Sequence, residues 1–134
     1  MTYKKLLMIA VMLMSNSAIA GHHEKAGTLM PAAVTGQVVV AYEVPCTNPA
    51  AGADSLKALI AYEASASPVA YSSVATTIGD AKVGAVDVHR STGAMEQAFS
   101  WQEQDETWLS MQADALALCG ADLESIGMSV HVVQ

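Results

Sequence analysis

Apolar and β-branched positions crowd the segment "GQVVVAYEVP" and stop at Pro45, which predicts a strand over about residues 36 to 44. The spacing then changes. In "CTNPAAGADSLKALIAYEASASP" the residues Ala53, Leu56, Leu59 and Ile60 recur at helical intervals. They predict a helix that begins at Pro49 or Asp54 and runs to Ala64, with Pro68 preventing its continuation. "VAYSSVATTIGDAKVGAVDVHR" reads as two strands joined at Gly79-Asp80, a glycine-first pair suited to a type II′ turn, with Gly84 as a candidate bulge. "STGAMEQAFSWQEQDETWLSMQADALALCG" is helical over most of its length, capped by Ser91 or Thr92 at its start and Gly120 at its end. Trp101, Trp108 and Ala115 share one heptad seam, and the polar stretch "QEQDET" marks a kink or a break into two helices. "SIGMSVHVVQ" supplies a last strand.

The order β-α-β-β-α-β is the ferredoxin-like arrangement, an α+β fold whose four-stranded antiparallel sheet carries both helices on one face. Its spatial strand order is 4-1-3-2. Alternation sorts the side chains between two faces. Large apolar residues favour Val38, Val40, Tyr42 and Val44, then Val74 and Ile78, Val86 and Val88, and Met128, Val130 and Val132 for the face under the helices. The other face then carries Gln37, Val39, Tyr71, Ser73, Asp87, His89, Ser129 and His131, a small and mixed polar surface.

Residues 1–20, "MTYKKLLMIAVMLMSNSAIA", change the picture. A basic start at Lys4 and Lys5, an apolar run too short to span a bilayer and the small-x-small triplet Ala18-Ile19-Ala20 make a secretory signal peptide. The competing reading is a retained membrane anchor. Cleavage after Ala20 leaves residues 21–134, a periplasmic or secreted chain with no membrane association of its own. Residues 21–35 lack periodicity and form a flexible lead-in to the domain at 36–134. That chain keeps four cations, Lys25, Lys57, Lys82 and Arg90, against all thirteen acids, a net charge of −9. Four scattered cations cannot form a basic patch, which argues against nucleic acid as a partner.

Two cysteines remain, Cys46 and Cys119. An oxidising compartment favours a disulfide between them, with two buried thiols or an intermolecular bridge as the alternatives. The topology supports the intramolecular bond, because the first strand and the second helix end at the same pole of the domain.

The element order, and "AFSWQEQDETWLSMQADALALCG" as a broken second helix with Trp108 beneath it, resemble the dimeric α/β-barrel superfamily. That group includes antibiotic-biosynthesis-monooxygenase-like, EthD-like and NIPSNAP-like domains. The resemblance covers about residues 36 to 134 and implies a homodimer joined sheet to sheet around a cavity. No motif selects a subfamily, so it carries over no catalytic residue. A cavity of this kind makes His89, His131 and Asp87 candidate catalytic groups, with one histidine as a general base oriented by Asp87. Gln37, Tyr71 and Ser129 are candidate ligand-binding residues on the same face. The plainer alternative is that both histidines are ordinary polar residues on a hydrated sheet.

No cofactor is predicted. A free amine at Gly21 with His22 and His23 could bind Cu(II) in a square plane, or could be an incidental polar terminus. The leading functional reading is a small-molecule binder. A cofactor-independent monooxygenase or isomerase-like enzyme using a cavity histidine is the second, and a structural or interaction protein without a ligand is the third.

Overall fold

A computed structural model describes residues 30–134. The predicted signal peptide at 1–20 and the candidate copper residues Gly21, His22 and His23 lie outside the described residues. The elements follow in the order β1 (Val38–Pro45), α1 (Pro49–Ala66), β2 (Ser72–Ile78), β3 (Lys82–His89), α2 (Thr92–Gln102), α3 (Glu106–Cys119) and β4 (Gly127–Val132), with one 3-10 turn at Leu123–Ser125. The sheet order is β2-β3-β1-β4 and every neighbouring pair is antiparallel, as the β-α-β-β-α-β reading requires.

Local chemistry sets each boundary. The Asn48 side chain accepts a hydrogen bond from the Ala51 amide at 3.2 Å, which fixes the start of α1 at Pro49 rather than Asp54. Ser91 caps α2 through the Ala94 amide at 3.1 Å. The predicted break falls between Gln102 and Glu106. There the Asp105 carboxylate accepts from the Trp108 amide at 2.8 Å and from the Tyr62 hydroxyl at 2.9 Å, so it starts α3 and ties it to α1. The break also ends the continuous seam expected from Trp101 to Ala115. Trp101 instead stacks on Tyr62 with ring centroids 6.2 Å apart. Gly120 closes α3 at φ 69, where a side chain would be strained.

Cys46 and Cys119 form a disulfide that joins the end of β1 to the end of α3. The two sulfurs sit in the main apolar cluster with Val44, Ala53, Val83 and Leu116. Gly52 of α1 lies against them; a Cβ there would come within 2.7 and 2.8 Å of the two sulfur atoms.

Two details of the hairpin differ from expectation. The β2–β3 loop has three residues, Gly79 to Ala81, since Ile78 pairs with Lys82. No bulge occurs at Gly84, because pairing with β1 is continuous from Val38↔His89 to Pro45↔Lys82. Gly84 is needed for a close approach instead: a Cβ there would collide with the Tyr42 carbonyl oxygen.

The larger difference is which face of the hairpin looks inward. Val38 pairs with His89, Val40 with Asp87 and Val44 with Val83. The inward face of β3 is therefore Val83, Ala85, Asp87 and His89, and that of β2 includes Ser73 opposite Asp87. Val74, Val86 and Val88 point to the open face. The expected grouping of residues within the hairpin is correct, and so is that of β1 with β4, although Met128, Val130 and Val132, expected under the helices, are exposed on this edge strand. The two halves meet one residue out of the expected register, and a one-residue slip turns a whole strand over.

Candidate functional site in the helix–sheet layer

The inverted hairpin carries polar side chains into the layer between sheet and helices. Asp87 and His89 are two residues apart on β3 and so share its inward face. Asp87 is 3% exposed and His89 0%. Ser73, directly across on β2, donates its hydroxyl to Asp87 Oδ1 at 2.5 Å. Among the described residues Asp87 Oδ2 accepts no hydrogen bond; His89 Nε2 stands 4.0 Å away. Among the described residues, neither ring nitrogen of His89 has a hydrogen-bond partner. Its imidazole stacks on Tyr71 at 4.7 Å between centroids and meets Phe99 edge-on at 5.9 Å.

A second buried carboxyl comes from above. Glu63 extends the inward stripe of α1, four residues beyond Leu59 and three beyond Ile60. It accepts from Trp108 Nε1 at 2.6 Å and from Gln102 Nε2 at 3.3 Å. The Gln102 amide also donates to the Tyr71 hydroxyl at 3.1 Å. One network thus spans α1, the end of α2, the first turn of α3 and the lead-in to β2.

Burial raises the pKa of both carboxyls. Asp87 is pushed up to about 7 by desolvation, with the Ser73 hydrogen bond opposing and the charge of Glu63 adding to the rise. Glu63 is raised by desolvation, and its donors, Trp108 foremost, hold it back. The Tyr42 and Tyr71 hydroxyls are raised by burial and by the nearby acids. Burial lowers His89, which favours the neutral imidazole.

Asp87 and Glu63 both line a cavity of about 130 Å³ between the sheet and the helices. Its walls are mostly apolar, from residues such as Leu59, Val83, Ala115 and Leu116, with the polar groups of Tyr42, Ser73 and Gln102 among them. The volume is close to the ~150 Å³ apolar cavity known to admit a benzene ring. Among the described residues, no lysine, arginine or histidine lines it.

The sequence candidates therefore separate. Asp87, His89 and Tyr71 are brought together, under the helices rather than on the open face. His131 and Ser129 are on the open face, exposed and hydrogen-bonded to each other at 3.1 Å, so the two histidines do not converge. Gln37 stands apart as well: its side chain accepts from the Val34 amide at 2.8 Å and closes the turn before β1. Sequence reasoning does not pick out Glu63 or Gln102. The available signal for Glu63 is an acid placed on an otherwise apolar helical stripe. Among the described residues, no group of three or more histidine, cysteine, aspartate or glutamate side chains is arranged to hold a metal ion.

Solved structures share this architecture. SnoaB, described as a cofactor-independent oxygenase from Streptomyces nogalater, superposes with a TM-score of 0.51 at 14% identity, over 75% of this chain and 95% of its own. A protein of unknown function from Nitrosomonas europaea gives 0.53 at 14% identity, over 71% of this chain and 86% of its own. The fold is ferredoxin-like. At this identity the likeness concerns the fold alone. No protein-family model matches the chain, and no curated protein matches it significantly. Among the described residues of the ferredoxin-like domain, no helix is long and apolar enough to cross a membrane.

Proposed function

We propose that the protein is an exported homodimer that binds a small molecule in the helix–sheet cavity beside Asp87. The observation that carries this reading is the cavity itself, a mostly apolar pocket of about 130 Å³ with a few convergent polar groups. Export is supported by the expected signal peptide and by the Cys46–Cys119 disulfide, which suits an oxidising compartment. The dimer is supported by the open face of the sheet. Val39, Val74, Val86 and Val88 project there, and Val74 is 56% exposed with no cover among the described residues. A second copy of the same sheet would bury these valines.

A second reading, an enzyme that removes a proton from its bound substrate, is favoured by Asp87. A carboxyl whose pKa is raised to about 7 stands where a general base works well at neutral pH. The description of SnoaB as a cofactor-independent oxygenase is compatible with that chemistry.

Titration with benzyl alcohol, followed by amide chemical shifts, tests the cavity. Saturable shifts at Gly52, Gly84 and Gln112 are expected in the wild type, and their loss in Ala115→Leu. Shifts confined to the open sheet face, or none at all with any single-ring probe, would overturn the reading. Turnover that disappears in Asp87→Asn while binding survives would establish the enzyme.

A further inference from the structure

The charge pattern of the cavity narrows its ligand. Two carboxyl side chains face it from opposite layers, Asp87 from β3 and Glu63 from α1. Among the described residues no basic side chain lines it, and His89, whose Nε2 stands 4.0 Å from Asp87 Oδ2, is held toward its neutral form by burial. Glu63 already accepts from Trp108 and Gln102. Asp87 Oδ2 is different, for it belongs to a side chain with 5% exposure and accepts no hydrogen bond among the described residues. A largely buried carboxylate oxygen without a close donor is a position that a donor, best of all a cation, would satisfy. Tyr42 and Trp108 add aromatic rings to the lining, and aromatic rings attract cations. The remaining apolar wall suits one ring or a short aliphatic body.

We infer that the cavity is a site for a small primary amine in its protonated form, with the ammonium at Asp87 and the apolar body against Leu59, Ala115 and Leu116. The inference rests on the cavity reading above and adds the charge of the ligand to it. The ammonium group donates to Asp87 Oδ2 within reach of the field of Glu63. Burying an isolated ammonium costs several kcal/mol, but here two acids already buried by the fold offset that cost. Because Asp87 lies near neutrality, a cation beside it also draws off the proton and converts a hydrogen bond into an ion pair. Carboxylate ligands are excluded by the same charges.

Three probes of one shape separate the contributions: benzylamine, benzyl alcohol and benzoate, titrated at pH 7.5 by calorimetry and by amide chemical shifts. Benzylamine is expected to bind at least about tenfold more tightly than benzyl alcohol, a difference of about 1.4 kcal/mol, and benzoate not at all. Asp87→Asn should remove most of the amine preference, read as the ratio of the benzylamine and benzyl alcohol affinities. Glu63→Gln, a second test with different structural risk, should reduce the preference part-way. Equal affinity for benzylamine and benzyl alcohol would overturn the amine assignment and leave the cavity reading standing. Absence of saturable binding by all three would overturn both.

Discussion

Asp87→Asn tests the buried carboxyl most directly, because the substitution keeps the shape and removes the charge. In the folded chain the Asp87 pKa stands at about 7 against an ordinary value of 3.8. An acid with a raised folded-state pKa holds its proton more firmly in the native state than in the unfolded one. Its stabilising contribution is complete below pH 3.8 and is lost as pH rises through about 7. Every tenfold difference in proton affinity between the two states is worth about 1.4 kcal/mol, so the full loss is about 4 kcal/mol, of which about 3 kcal/mol falls between pH 4.5 and 8.5. That is a large share of the ~5–15 kcal/mol typical of a domain. Urea unfolding of the oxidised protein at pH 4.5, 6, 7 and 8.5 reads it. The wild type should lose about 3 kcal/mol more than Asp87→Asn across this range, with the divergence concentrated below pH 7.5. His89 and Glu63 titrate in both proteins and leave the difference between the two curves largely intact. Parallel curves would refute the reasoning, since they would mean that Asp87 ionises in the fold as easily as in water.

The remaining expectations concern the scaffold. Gly52→Ala would place a methyl within 2.7 Å of Cys46 Sγ and 3.1 Å of Val83 Cγ1, and overpacking of this kind should cost about 1–3 kcal/mol by urea midpoint. The paired change Cys46→Ser and Cys119→Ser opens a loop of 73 residues, and should cost about 4 kcal/mol by the chain-entropy relation, with lowered thermal midpoint. Val86→Glu places a charge at the centre of the open face; on the proposed dimer, sedimentation should change from dimer to monomer, with the disulfide and the far-ultraviolet dichroism preserved, and a wild type that sediments as a monomer would overturn the dimer.

Several parts of the molecule are legible without any coordinates. The composition of the strands, the break at "QEQDET", the Gly120 terminus of the second helical region and the pairing of Cys46 with Cys119 all depend on local chemistry or on element order. Even the sorting of Val74 with Val86, and of Ser73 with Asp87, is correct within the hairpin. These relations follow from the two-residue period of a strand, which operates over short distances along the chain.

The orientation of that hairpin against β1 is of another kind. The sum of apolar side chains favours Val86 and Val88 inside, yet the observed register puts Asp87 and His89 there. Inward placement of Asp87 becomes acceptable only when Ser73 is across from it, and that of Tyr71 when Gln102 arrives from the end of α2. Glu63 likewise depends on Trp108, 45 residues further along. The valines displaced to the open face in turn suit a surface that a second copy could cover. Sequence alone therefore determined the elements, their order and which residues share a strand face. Only tertiary structure decided which face was buried, because a single residue of register reverses it, and the partners that make buried acids tolerable come from helices distant in the chain.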